Sequence, residues 1–443
     1  MAYKIVCILW LLFLFEPARL MSHYATYLNP LKWLPELLLY SSFVVLWIMN
    51  SADKAKEKDI YPCYTALILL LLYGTVIAFI LGNWGIARMV NRLMLSYYTL
   101  GLLTLYIVKN INHIRGIFLL YYLHLIFFAA WGAYSLEVNP ITAYTNIAAR
   151  EIIPWHQHYV NRDAFGPLMV LGLAFSCYYG LNREYKVKAA TWSSVLLFII
   201  GIVLSHARAT FFSMIAAISY IGLKSNKKLV GFATIILFSG LVIIISALIA
   251  GDTNYWDIMQ SSFTEGMSSG TGQDRKFLWT WAWQIFLDYP IFGVGTGNAG
   301  IHLPNYVPEA EAIAHGYNTL GHLWARSLHN VPLTILVEYG LIGAIIFIYL
   351  IHDFIKTNRT CRYIAKSSGL SMKKEQNNKV QYVQTDYIYS MSMALMTCFI
   401  AYWINGIFYE ILYTPFLWHI LILNRILYNY ISSKNGIQIN MLT

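Results

Sequence analysis

The sequence predicts an all-α polytopic integral membrane protein of about 12 transmembrane helices, with a large folded extracytoplasmic loop between the ninth and the tenth. Three observations predict this fold class. First, 58% of the 443 residues are apolar and only 12% are charged, which is about half the charged share of a soluble domain. Second, the apolar residues fall into runs long enough to cross a bilayer. Third, the basic residues lie between these runs, which indicates a polytopic membrane protein and argues against a nucleic-acid partner.

Each predicted span is an apolar run of about 20 residues or somewhat fewer, and together the spans make the whole chain, 1–443, a single membrane domain. The first run is interpreted as a retained helix and not as a signal peptide, because Glu16-Pro17 interrupts it and no small-residue cleavage site follows. The predicted spans are 4–20, 33–49, 62–81, 93–108, 115–134, 165–180, 190–206, 208–223, 229–250, 332–352, 387–406 and 410–430.

The distribution of charge predicts the orientation. With the N-terminus inside, about two thirds of the 31 Lys and Arg residues fall in cytoplasmic segments, in agreement with the positive-inside rule. Both termini are then cytoplasmic, and so is the polar, Lys- and Arg-rich loop 353–386. The loop 251–331 is extracytoplasmic. It is rich in Trp, Tyr, Phe and Gly, so we expect it to fold against the membrane.

Arg208 lies in the motif 205–209, Ser-His-Ala-Arg-Ala, between two apolar runs at the predicted outer face. A guanidinium always carries its charge and is costly near hydrocarbon, so it faces a protein cavity or the headgroup region. Two interpretations remain open for it. Arg208 is either an arginine that snorkels to the lipid phosphates, or an anion clamp for a phosphorylated lipid.

Arg275 precedes an aromatic-rich run, 276–288, which ends just before Pro290, as a helix does. Aromatic residues at this density favour an interfacial helix that lies on the outer leaflet. Arg275 would stand near the N-terminus of that helix, where anions are favoured. The alternative interpretation is a surface ion pair with Asp274.

The segment 293–300 contains the pattern G-x-G-x-x-G, which is typical of dinucleotide-binding proteins. That interpretation is rejected, because no βαβ unit surrounds the pattern and no ribose-binding acid follows it. The glycines instead predict a tight re-entrant turn in which the backbone adopts unusual angles or approaches another segment closely.

Three histidines, His315, His322 and His329, are spaced by seven residues. On one helix this spacing separates neighbours by about 10.5 Å, which is too far for one metal ion, so we expect no metal site. His329 directly precedes the tenth span, where the aqueous side meets the bilayer. It is either a hydrogen-bonded boundary histidine or a neutral imidazole that accepts a proton from a hydroxyl.

These motifs follow one another in a particular order along the chain: S-x-A-R-A at 205–209, Asp274-Arg275 with Trp279, PIFGVG at 290–295, SLHN at 327–330 and EYGLIG at 338–343. In this ordered set the chain resembles the O-antigen ligase family. The superfamily of these ligases also contains O-antigen polymerases and protein O-oligosaccharyltransferases.

The resemblance implies a glycosyltransferase of the bacterial inner membrane that works without metal or other cofactor and whose catalytic loop, 251–331, faces the periplasm. The donor would be an O-antigen linked to undecaprenyl diphosphate, and the acceptor a sugar hydroxyl of lipid A-core. By position, Arg208 and Arg275 match the diphosphate-binding arginines and His329 the general base. Further candidates for substrate binding are Trp279, Gly293, Gly295 and Asn330, together with Arg150 and Arg162 from the outer loop 135–163.

Three alternatives remain open. An O-antigen polymerase would use the same donor with a lipid-linked glycan as acceptor, and a protein O-oligosaccharyltransferase would use a Ser or Thr acceptor. A transporter or flippase has a similar number of spans, but the sequence places few ionisable residues inside them and shows no inverted repeat. Glu338, further along the tenth span, is the alternative to His329 as the base.

Overall fold

The computed structural model describes residues 2–17, 33–49, 62–81, 83–138, 162–181, 188–205, 207–224, 240–241, 244, 270–324, 326–374 and 379–434. Within these ranges the regular elements are all helices. Eight helices precede the large loop: α1 (Ala2–Phe15), α2 (Leu34–Met49), α3 (Pro62–Ile80), α4 (Trp84–Ile107), α5 (Ile111–Val138), α6 (Arg162–Leu181), α7 (Lys188–Ser205) and α8 (Arg208–Lys224).

The described part of the segment 251–331 is folded, whereas its extracytoplasmic position stays a prediction. It contains α9 (Gly270–Asp288), α10 (Ala299–Tyr306), α11 (Glu309–Ala314) and a 3₁₀ turn (Leu320–Leu323). Three helices follow it: α12 (Val331–Lys374), α13 (Lys379–Phe408) and α14 (Pro415–Lys434).

Every predicted span that falls in the described ranges contains a helix, whereas the ninth, 229–250, lies almost entirely outside them. Three stretches are long and apolar enough to cross a membrane, namely 111–135, 331–367 and 384–408, and shorter apolar helices accompany them. The predicted fold class, an all-α membrane protein, is thereby confirmed in its coarse form. The number of twelve spans stays a prediction.

Several predicted boundaries are wrong; the fourth helix, for example, begins at Trp84 and not at 93. The segment 353–386 is largely helical and not a loop, because α12 continues to Lys374 and α13 begins at Lys379. Polarity marks where a chain leaves hydrocarbon, but Lys and Arg are good helix formers and do not end a helix. The last helix begins at Pro415 and not at 410, since proline is well suited to the first position of a helix.

The centre of the bundle is formed by α6 and α13. Both pack against each other and against α8, and α13 also packs against α12 and α14. In α6, every residue from 164 to 180 is buried. A helix surrounded on all sides needs no polar face, which accounts for its continuous apolar sequence.

The long helix α12 is broken at Gly340, where φ is 61° and ψ is −163°. A break frees backbone groups on both of its sides, and inside a bundle such groups need other partners. On one side, the carbonyl of Val337 accepts the N–H of Val294 at 2.9 Å, and the carbonyl of Glu338 accepts the N–H of Gly295 at 2.8 Å.

On the other side of the break, the N–H of Leu341 donates to the carbonyl of Pro290 at 2.8 Å, and the N–H of Ile342 donates to that of Ile291 at 3.3 Å. The turn 290–295 therefore completes the hydrogen bonding of the broken helix. This confirms the predicted tight turn with close backbone approach, and it fixes the loop onto α12.

Gly295 is a position of this turn that has no room for a side chain. Its φ is +91°, and an added Cβ would lie 2.5 Å from the backbone nitrogen of Ala78 on α3. We expect Gly295→Ala to lower the free energy of unfolding by about 2–4 kcal/mol, since backbone strain and overpacking add. Thermal unfolding of the detergent-purified protein measures this loss.

The matched control is Gly85→Ala on α4, where an added Cβ meets nothing within 4 Å. That variant is expected to unfold at the wild-type temperature or slightly above it, because alanine favours a helix. Equal unfolding temperatures for the two variants would show that the turn does not constrain the fold.

Candidate functional site

The helix α9 is attached to the segment that leads to His329. The indole Nε1 of Trp279 donates to the carbonyl of Leu328 at 2.8 Å. Arg275 stands one turn before Trp279 on the same helix, and residues four apart lie on one helix face. Arg275 therefore shares the face of α9 from which Trp279 reaches Leu328.

The beginning of α9 is held to the same part of the loop by Asp274. Its carboxylate accepts a hydrogen bond from the hydroxyl of Tyr317 and pairs with Arg326 at 3.4 Å. Burial and the neighbouring carboxylate raise the pKa of the Tyr317 hydroxyl above its usual range, so this hydroxyl stays protonated and acts as a donor.

His329 lies in the left-handed region of backbone conformation, with φ at 52°, directly before α12. A residue other than glycine adopts this region only where its surroundings hold it there. Its N–H donates to the hydroxyl of Ser327 at 3.2 Å. Its ring stacks on the ring of Tyr409, with 5.6 Å between centroids and 29° between planes.

Asn330 caps the N-terminus of α12 and also reaches the end of α13. Its Oδ1 accepts the N–H of Leu333 at 2.8 Å, as an N-cap side chain does. Its Nδ2 donates to the carbonyl of Ile407 at 3.1 Å. Asn330, predicted to bind substrate, thus holds the residues around His329 in place.

Arg208 is the first residue of α8 and is half-buried. Before it, the hydroxyl of Ser205 accepts the N–H of Ala207 at 3.3 Å, which shapes the turn between α7 and α8. One turn after Arg208, the ring of Phe212 contacts that of Phe408, with 6.4 Å between centroids. Phe408 directly precedes Tyr409, the residue on which His329 stacks.

The helix that carries Arg208 and the segment that carries His329 therefore meet at the end of α13, and α9, which carries Arg275, is bound to Leu328 directly before His329. Of the other predicted residues, Arg150 lies outside the described residues, and Arg162 begins α6. Substrate contact for both stays a prediction.

The two predicted glycines, Gly293 and Gly295, have positive φ values of 69° and 91° and lie in the turn that completes α12. Their structural task is the close approach described above. Whether substrate also reaches this turn stays a prediction.

His315, His322 and His329 do not lie on one helix. The distance of about 10.5 Å expected between neighbours on a helix therefore does not apply to them. His315 follows α11 and stacks on Phe277 with 4.2 Å between centroids. His322 lies in the 3₁₀ turn near the hydroxyl of Thr319. Across the described residues, no three His, Cys, Asp or Glu side chains cluster as metal ligands would, and metal independence stays a prediction.

Glu338 binds the loop and not the neighbourhood of His329. Its buried carboxylate accepts the N–H groups of Gly297 at 2.7 Å and Ala299 at 3.3 Å, and the hydroxyl of Tyr413. Ala299 is the first residue of α10, and a carboxylate is favourable at a helix N-terminus. These donors replace the water that the carboxylate loses on burial.

Glu410 is the residue that sequence analysis missed. Its Oε1 accepts the N–H of Leu412 at 3.2 Å, and its Oε2 contacts the hydroxyl of Thr334 on the first turns of α12. The apolar pattern predicts it as the first residue of a span, whereas it lies in the connection between α13 and α14. The available signal was an acidic residue next to hydrocarbon, which is rare without a function.

Burial raises the pKa of the Glu410 carboxyl from 4.5 to about 7. Between these values the folded protein binds more protons than the unfolded chain, so stability falls as the pH rises through this window. We expect Glu410→Gln to remove this contribution, so that its unfolding temperature changes less between about pH 5 and about pH 8 than that of the wild type. Parallel curves for the two proteins would contradict the raised pKa.

Comparison with known proteins finds one similarity to a family. Residues 193–348 match the family model described as O-antigen ligase, a segment that runs from α7 to the first half of α12 and contains every motif named above. No curated protein matches the chain. Over this segment, about a third of the chain, the protein is similar to the O-antigen ligase family, whose members are membrane glycosyltransferases of the ligase or polymerase type.

Proposed function

We propose that the protein transfers an O-antigen polysaccharide from undecaprenyl diphosphate to a sugar hydroxyl of lipid A-core, and so completes lipopolysaccharide on the periplasmic side of the inner membrane. The observation that supports this proposal is a series of contacts around His329. Its ring stacks on Tyr409 at the end of α13, the helix of Arg208 contacts the neighbouring Phe408, and the helix of Arg275 is bound to Leu328.

The two arginines suit a diphosphate. A guanidinium is planar and binds two phosphate oxygens at once, which a point charge does not. When the bond between the anomeric carbon and the diphosphate breaks, negative charge develops on the leaving group. Arg208 and Arg275 stabilise that charge and so lower the barrier.

His329 suits the acceptor. Its neutral imidazole accepts the proton of the sugar hydroxyl while the hydroxyl oxygen forms its bond to the anomeric carbon. Attack from the side opposite the leaving diphosphate inverts the configuration at that carbon. The energy of the reaction resides in the lipid diphosphate itself, so the proposal requires no nucleotide and no metal.

The experiment that tests this function is deletion of the gene, followed by electrophoresis of lipopolysaccharide. The expected result is loss of all long-chain material while lipid-linked polymer accumulates, and recovery on expression of the wild-type protein but not of His329→Ala. A core that carries a single repeat unit would instead identify a polymerase and overturn the assignment of the acceptor.

A further inference from the structure

We propose that Tyr409 and Glu410 are positioning residues of the transfer reaction: Glu410 holds the end of α13 against α12, and Tyr409 thereby fixes the ring of His329. The inference rests on the proposed function, because it assigns these residues a task only if His329 is the base. Neither residue belongs to the motifs by which the chain resembles its family.

The first support is a pair of contacts on one face of α12. Asn330 donates to the carbonyl of Ile407 at 3.1 Å, and Thr334 contacts the carboxyl of Glu410. Asn330 and Thr334 are four residues apart and so share a helix face. We call residues 407–410 the clasp, since both of its ends are bound to this face.

The second support is the contact between Tyr409 and His329. Tyr409 lies inside the clasp, and its ring stacks on the imidazole of His329. The backbone of His329 is in the left-handed region and is therefore held by its surroundings. A stacked ring on one side restricts the rotation of the imidazole, and its negative face stabilises the imidazolium that forms when the base takes a proton.

The third support is the hydrogen bonding of the Thr334 hydroxyl, which indicates that Glu410 acts as a donor. Thr334 has one hydroxyl proton, but its oxygen lies within hydrogen-bond distance of two acceptors, the carbonyl of Asn330 at 2.9 Å and the Glu410 carboxyl. Both contacts are hydrogen bonds if Glu410 is neutral and donates to Thr334 while Thr334 donates to Asn330. A glutamine in place of Glu410 can donate in the same way.

These contacts yield a graded set of variants. Tyr409→Ala removes the stacked ring, whereas Tyr409→Phe keeps it. Glu410→Ala removes both bonds of the carboxyl, whereas Glu410→Gln keeps a donor for Thr334 and an acceptor for Leu412. The matched controls are Tyr363→Ala and Glu309→Gln, which change an exposed tyrosine and an exposed glutamate outside the clasp.

The test measures kcat and the donor KM of each purified full-length variant in glycan transfer. We expect Tyr409→Ala and Glu410→Ala to lower kcat by about 10- to 100-fold, as a misplaced catalytic group does. The donor KM should stay within about twofold of the wild type. Tyr409→Phe and Glu410→Gln should recover most of the lost rate, and the controls should match the wild type.

The inference is overturned if the wild type transfers glycan and Tyr409→Ala keeps its kcat, or if the loss appears only as a higher KM. If Tyr409→Ala does not reach the membrane, Tyr409→Leu takes its place, because leucine keeps apolar volume without a ring face. A wild-type protein that transfers nothing refutes the proposed function itself, which distinguishes the two failures.

Discussion

We expect replacement of His329 with alanine to lower glycan transfer by at least about 100-fold and to leave donor binding intact. In the proposed mechanism the imidazole takes the acceptor proton but is not needed to hold the diphosphate. The measurement pairs transfer by the purified variant with binding of a lipid-diphosphate donor. Both are compared with the wild type at equal amounts of folded protein.

The matched control is His322→Ala, because His322 is exposed in the 3₁₀ turn. His302 and His315 serve less well, since His302 is buried and His315 stacks on Phe277. If His329→Ala keeps its activity, or loses donor binding as fully as it loses transfer, His329 is not the base. Glu338 does not then replace it easily, because its carboxylate is engaged by two backbone N–H groups and a tyrosine hydroxyl.

We expect replacement of Arg208 or Arg275 with alanine to lower transfer by about 100- to 1,000-fold, because in the proposed mechanism each variant loses charge stabilisation of the departing diphosphate. Arg208→Lys and Arg275→Lys should recover only part of this loss, since a lysine cannot grip two phosphate oxygens in one plane. Unlike the histidine variant, the arginine variants should also bind the donor more weakly.

The control for this series is Arg359→Ala, which removes an exposed arginine from the distant half of α12. It is expected to transfer at the wild-type rate. Normal transfer by both Arg208→Ala and Arg275→Ala, at normal levels in the membrane, would refute the assignment of a diphosphate clamp.

Much of the fold follows from the pattern of apolar runs, because a bilayer demands long apolar helices. The glycine-rich turn at 293–300 was also predictable, because closely spaced glycines indicate a turn with positive φ angles, which glycine adopts readily. The break at Gly340 was not predicted. A glycine inside an apolar run resembles a helix interior, and its partner, the turn at 290–295, lies about 45 residues earlier in the chain.

The candidate site was predictable where chemistry is unusual for its position, as with an arginine between two apolar runs. The residues that hold the site together were not. Tyr409 contacts His329 although the two are 80 residues apart in the sequence, and a local sequence pattern cannot predict such a contact. Glu410 was assigned to a span because its neighbours are apolar, although its charge argued for a special role.

The most direct test of the account is transfer by the purified protein in liposomes that contain a defined undecaprenyl-diphosphate glycan and lipid A-core. We expect the product to be lipid A-core that carries the glycan in inverted configuration. It should form equally fast with and without a strong chelator, and His329→Ala should not form it. The account is contradicted if the glycan lengthens the lipid-linked donor instead, or if transfer stops with the chelator and resumes with a divalent ion.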